Sequence, residues 1–179
     1  MAGGVFLIEN IFSLINMRSF SSLWFWIVLA VYWSAVTRVT LGAPYDLILR
    51  ARRGDEQSVT DLQDLVRIHV RRRLEFIRRA GHWALAFNAG LMTALLLMAF
   101  HYQVEFAQAL FLLFVPMLIV RVMALRLAFR VERQGLEGAA LCRAMLRHRF
   151  WVQFLGLVSI FVTALWGMLY VMSRPVLSM

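Results

Sequence analysis

All 19 basic residues of this chain are arginine, and 17 of them crowd into two segments that separate four uncharged apolar stretches. The stretches are 19–37, 80–104, 106–120 and 150–173. A helix needs about 20 mostly apolar residues to cross a hydrocarbon core of roughly 30 Å, so three stretches meet that length outright. The third stretch, 106–120, corresponds to roughly 22 Å of helix, so Arg121 and Arg126 have to reach back to the headgroups along their own aliphatic stems. The pattern predicts an all-α, polytopic helical membrane protein forming a single membrane domain over 1–179. Four transmembrane helices fall at about 20–41, 82–101, 106–129 and 150–172. Short amphipathic cytoplasmic helices belong to the connections 42–81 and 130–149.

Orientation follows from where the arginines fall. The segment 38–79 carries ten and 121–149 carries seven, leaving Arg18 and Arg174 on the other face. Cytoplasmic loops carry the excess of basic residues, so both rich segments are expected inside and both termini in the periplasm of a bacterial cytoplasmic (inner) membrane. The 17 inner arginines face eight acids, so the whole formal charge of +9 belongs to the inner face. The chain is 61% hydrophobic and 16% charged, outside the soluble norm, which leaves no room for a separate soluble enzyme domain. Residues 1–17 hold no base and one acid, Glu9, which is not the basic opening of a cleavable signal peptide. A short interfacial helix is expected over 5–15.

Span 1 is expected to stop at Gly42-Ala43-Pro44. Residues 51–57 form a polar turn, after which Ser58 or Thr60 caps a helix with Asp61 and Asp64 in its first turns. Val59, Leu62, Val66, Val70, Leu74 and Ile77 recur on one face of that helix. No proline interrupts it before span 2, so it can run through Gly81 unbroken. The short link 101–105 forces spans 2 and 3 into an antiparallel hairpin, and Pro116 is expected to bend span 3. A second basic helix is expected over about 137–149, with Arg143 and Arg147 one turn apart.

Two spans carry small residues at every fourth position: Ala86, Gly90 and Ala94 in span 2, and Ser159, Thr163 and Gly167 in span 4. Such stripes let backbones approach where lipid provides no hydrophobic drive, so these are the expected packing faces, toward each other or toward a partner. Asn88 and Gln108 are the strongly polar side chains well inside spans 2 and 3, and Asn88 is expected to bond between helices.

No catalytic signature is present: GxSxG, HExxH and P-loop patterns are missing, and a single cysteine, Cys142, excludes a CxxC site. A b-haem needs two histidines on facing helices, and His82 with His148, both near the inner interface, is the pair on offer. A transporter usually shows a mid-span charge or paired broken helices, and neither occurs. The arginines are the strongest interactive feature. Arg71, Arg72, Arg73, Arg78, Arg79, Arg121 and Arg126 are expected to meet anionic lipid headgroups and acidic patches of partner subunits. No nucleic-acid recognition fold accompanies them.

The run Ile15-Asn16-Met17-Arg18-Ser19-Phe20-Ser21-Ser22-Leu23-Trp24-Phe25-Trp26, with Val104-Glu105-Phe106-Ala107-Gln108-Ala109 later, resembles a family of small polytopic alphaproteobacterial proteins often labelled "component of SufBCD complex". The resemblance covers most of the chain. It implies a multi-pass membrane protein and carries over no catalytic or cofactor-binding residue. The function expected is a non-catalytic accessory subunit of a larger energy-transducing membrane complex, respiratory or photosynthetic, with no cofactor, metal or small-molecule substrate of its own. A small transporter or channel-like protein is the alternative, and a b-haem protein the third reading.

Overall fold

The computed structural model describes residues 23–173. Among them run five helices: α1 (Leu23–Arg38), α2 (Tyr45–Arg52), α3 (Glu56–Leu96), α4 (Glu105–Gln134) and α5 (Gly138–Ser173). A five-residue π turn, Leu97–His101, continues α3 directly. Two strands of two residues each, β1 (Val39–Thr40) and β2 (Ala43–Pro44), pair antiparallel with Val39 opposite Pro44. The chain is therefore all-α in substance, and three helical stretches, Glu56–His101, Glu105–Gln134 and Gly138–Leu169, are long and apolar enough to cross a membrane. The apolar helix α1 is shorter, 16 residues. The helix expected over 5–15, the first residues of span 1, and Arg18 and Arg174 lie outside the described residues.

The basic stretches 59–79 and 139–149 are not helices of their own. They are the first halves of α3 (41 residues) and α5 (36 residues), each of which continues straight into its apolar stretch. The reason is local: neither proline nor a left-handed residue interrupts 56–96 or 139–173, and Gly81 is helical, with Ile77 3.3 Å from where its Cβ would stand. The start of α3 differs from expectation as well. Asp55 occupies the N-cap position, one turn ahead of Ser58 and Thr60, and the Ser58 hydroxyl donates to the Asp55 carboxylate. The Asp55 carboxylate accepts no helix N–H; the residue holds its place through its own carbonyl, which accepts from Val59 N–H at 3.0 Å, and through the Ser58 hydroxyl. In α4 the helix passes through Pro116, whose side chain is buried.

Burial divides the molecule into two halves with opposite surfaces. In the arginine-rich half, α2, the first half of α3, the end of α4 and the start of α5 enclose a continuous core that includes Ile48, Leu62, Val66, Leu74, Leu127, Leu141 and Met145. In the apolar half the large hydrophobics point outward. Apart from Tyr45, Ile68, Phe76 and Val122, every strongly exposed large apolar side chain lies in one of the four uncharged stretches. A soluble protein does not tolerate apolar surface on that scale, whereas lipid makes it neutral. Within the apolar half a smaller cluster of Leu29, Trp33, Val120 and Val152 seats α1 against α4 and α5. Its tightest point is Gly156, where a Cβ would come within 2.8 Å of the Trp33 ring.

The hairpin β1–β2 joins the halves. Leu41 (φ 49°) and Gly42 (φ 84°) are consecutive left-handed residues, the geometry of a two-residue primed turn that follows the twist of its strands. The conformation costs a non-glycine residue about 1–2 kcal/mol, and Leu41 offsets it by burying its side chain in the arginine-rich core. Gly42 lies directly against the imidazole of His69, leaving no space for a Cβ.

Candidate anion-binding interface

Polar groups concentrate at the two ends of the apolar half. At the end away from the arginines, Gln108 is 3% exposed and links three segments. Its Nε2 donates to the Ala99 carbonyl of the π turn at 2.9 Å, and its Oε1 accepts from Trp166 Nε1 at 3.2 Å. Trp donates only and a carbonyl accepts only, so the amide's orientation is determined. The π turn ends the α3 ladder, and Tyr102 N–H turns back to Leu97, leaving the Ala99 carbonyl available to Gln108. The arrangement is a satisfied clamp joining α3, α4 and α5. Asn88 behaves differently from expectation: its Nδ2 donates to the Ala84 carbonyl of its own helix at 2.6 Å.

At the other end three kinds of arginine stand out among the 17 described. Some are matched by carboxylates: Arg50 with Asp46, Arg79 with Glu75, and Arg78 with Glu132 across α3 and α4 at 2.8 Å. Arg67 and Arg71 line a cleft with Glu132 and Glu137, without a direct ion pair to either. The second kind lines a groove between α4 and α5 to which Arg126, Arg130, Arg143 and Arg147 contribute, with Trp151 at its membrane end. No carboxylate lines it among the described residues.

The third kind converges. Arg73 of α3, Arg121 of α4 and Arg149 of α5 line one cleft of about 270 Å³ with His148, Thr37, Thr40 and Tyr32. Again no carboxylate lines it among the described residues, and neither Arg73 nor Arg121 forms an ion pair among them. Arg149 is held in place. Its guanidinium donates to the Thr37 carbonyl at the end of α1, where helix carbonyls lack internal partners, and stacks 3.8 Å from the Tyr45 ring centroid. His148, just outside the uncharged stretch 150–173, is held below the ordinary histidine range by burial and by Arg73 beside it. The cleft's positive charge at neutral pH therefore comes from its arginines.

The other expected site residues fall as follows. Ser159, Thr163 and Gly167 are buried on α5, Thr163 at 1% exposure, in register with Val152 and Gly156. Ala86, Gly90 and Ala94 are exposed on α3, and a Cβ on Gly90 would meet nothing within 4 Å. The two stripes therefore do not meet within this chain. The half-buried side of the α3 apolar segment is instead Ala84, Asn88 and Leu91, leading to buried Leu95 and Ala99. His82 lines neither of the clefts that His148 lines, so the two histidines are not brought to one site. Arg72 lies on the exposed side of α3. Arg130, Arg143, Arg147 and Arg149 were not singled out as binding residues from the sequence. For the groove a signal existed: Arg126/Arg130 and Arg143/Arg147 are one-turn pairs on consecutive helices joined by a short turn. For Arg149 there was none, because its partners are 104 and 112 residues away.

No known protein family, curated protein or solved structure matches this chain.

Proposed function

We propose that this protein is a four-span subunit of the bacterial cytoplasmic membrane, with its arginine-rich half in the cytoplasm and both termini in the periplasm. In this reading it is a non-catalytic accessory component that packs against a larger energy-transducing complex, respiratory or photosynthetic, and holds anionic lipid at its inner face. The observation that carries the reading is the outer side of α3. Its apolar half contributes little to the chain's own interior, yet presents Ala86, Gly90 and Ala94 in a row with open space above Gly90. In lipid, helices associate through close backbone approach at such residues, so this side is suited to a helix from another subunit. The matched arginines on α3 and α4 and the satisfied Gln108 clamp fit a scaffold, since neither leaves a reactive group unengaged.

The test is gentle-detergent purification of the tagged chain with mass spectrometry of the eluate, comparing the natural protein with Gly90→Leu. Stoichiometric recovery of respiratory or photosynthetic subunits is expected, together with their loss in a Gly90→Leu protein that remains folded. Recovery of the natural chain alone defeats the reading and brings transport or lipid handling forward.

A further inference from the structure

We propose that the cleft between the β1–β2 hairpin and helices α3, α4 and α5 is a discrete site for the phosphate headgroup of one anionic glycerophospholipid. The proposal deepens the lipid-binding part of the function above and rests on that reading for the orientation of the arginine-rich half. It does not depend on any partner subunit.

The cleft's lining has two chemically distinct parts. Arg73, Arg121 and Arg149 converge on it from three helices, and Thr40, buried at the hairpin, adds a hydroxyl. Phosphate oxygens are matched by guanidinium donors, which present several N–H groups in a fixed fork. An unmatched set of three such groups around one cleft raises their mutual repulsion, and an anion relieves it. The apolar part of the lining includes Val36, Met117, Val120 and Val152, all residues of the uncharged stretches. A soluble phosphate uses only the first part. A phospholipid uses both, placing its phosphate among the arginines and the start of an acyl chain along the valines.

Preorganisation distinguishes this cleft from the α4–α5 groove. Arg149 is already fixed by the Thr37 carbonyl and the Tyr45 ring, so less side-chain freedom remains to be lost when a ligand arrives. The four groove arginines are exposed, as are Arg73 and Arg121, but none of the four has an anchor across the fold like that of Arg149. The groove supplies a diffuse attraction to anionic membrane, and the cleft supplies a place for one headgroup. The cleft also lies where a headgroup would be, at the level where the lipid-exposed half gives way to the arginine-rich core.

The proposal is tested on delipidated full-length protein in detergent by native mass spectrometry. The titrants are dioleoyl phosphatidylglycerol, dioleoyl phosphatidylcholine and glycerol 3-phosphate. One phosphatidylglycerol per chain is expected to saturate first. Arg73→Gln and Arg121→Gln should each weaken it roughly fivefold, the effect of one basic group near a charged headgroup. Arg53→Gln removes the same charge from an exposed position outside the cleft and should leave binding unchanged. Equal weakening by Arg53→Gln would make the attraction diffuse and overturn the site. Equal affinity for phosphatidylcholine would remove the selection for an anionic headgroup. Binding of glycerol 3-phosphate as tight as that of the lipid would reassign the cleft to a soluble phosphate.

Discussion

Gly156 and Gly90 show how one residue type does opposite work in this protein. Gly156 is packed against the indole of Trp33, itself only 6% exposed and hemmed in by Leu29, Val120 and Val152. Gly90 faces open space. Replacing a mid-helix glycine by alanine gains up to about 1 kcal/mol of helix propensity when nothing else changes. Gly90→Ala should therefore leave the chain as stable or slightly more so. At Gly156 the added methyl collides with a flat, enclosed ring, and overpacking of that kind costs about 1–3 kcal/mol, enough to outweigh the propensity gain. Gly156→Ala should thus destabilise by about 1 kcal/mol, read as a shift in reversible unfolding in mixed micelles. If both variants behave alike, Trp33 does not seat α1 as described.

At the scale of elements, the hairpin and α3 make separate predictions. Gly42→Ala introduces a side chain both into a left-handed backbone position and into the His69 ring. A loss of about 2 kcal/mol is expected, combining the two costs. Adding His69→Ala should recover the steric part only, so the double variant lies between the single Gly42→Ala protein and the natural one. Strict additivity would mean that the ring and the turn do not touch. For α3, spin labels at Thr60 and Thr93, with the buried Cys142 replaced by alanine, should be roughly 50 Å apart if one straight helix spans the 33 intervening steps at 1.5 Å each. A break near Gly81 would bring the labels well inside that distance. The continuity of α3 was legible in advance because helix breakers are easy to see and none was present. The primed turn was half legible: Gly42 announces a positive φ, but Leu41 opposes one, and only its burial in the core explains it. The π turn, the Asp55 cap and the inward side of the α3 apolar segment were not legible. The first and last depend on a partner from another element, such as Gln108 reaching Ala99, that no local pattern encodes, whereas Asp55 meets Ser58 three residues on and differs from the expected cap by a local choice among neighbouring polar residues. The same holds for the candidate site. The arginine segments were visible as charge, but which arginines meet carboxylates and which converge on a cleft is decided by distances between helices.

At the scale of the whole molecule, the two halves bear on how the protein would sit in a bilayer. All 17 arginines among the described residues belong to the half with the buried core, and the opposite end presents His101, Tyr102 and Gln103 with no arginine among the described residues. Arginine at mid-membrane costs about 2.5–3.5 kcal/mol per residue on insertion scales, and the orientation proposed above keeps the arginine-rich half cytoplasmic. A membrane-impermeant maleimide applied to intact spheroplasts should therefore label Tyr102→Cys, and label Thr60→Cys only after permeabilisation. A third position, Ser19→Cys, reads α1. Its first described residue is Leu23 and its last, Arg38, lies at the arginine-rich end, so labelling at position 19 from outside requires α1 to cross as a fourth span. Protection at position 19 together with labelling at 102 would reduce the protein to three spans and put its N-terminal segment on the cytoplasmic side. Labelling at 60 with protection at 102 would invert the molecule. The lipid cleft would then face the periplasmic leaflet, and the proposed partner contact on α3 would have to be sought with the helix reversed.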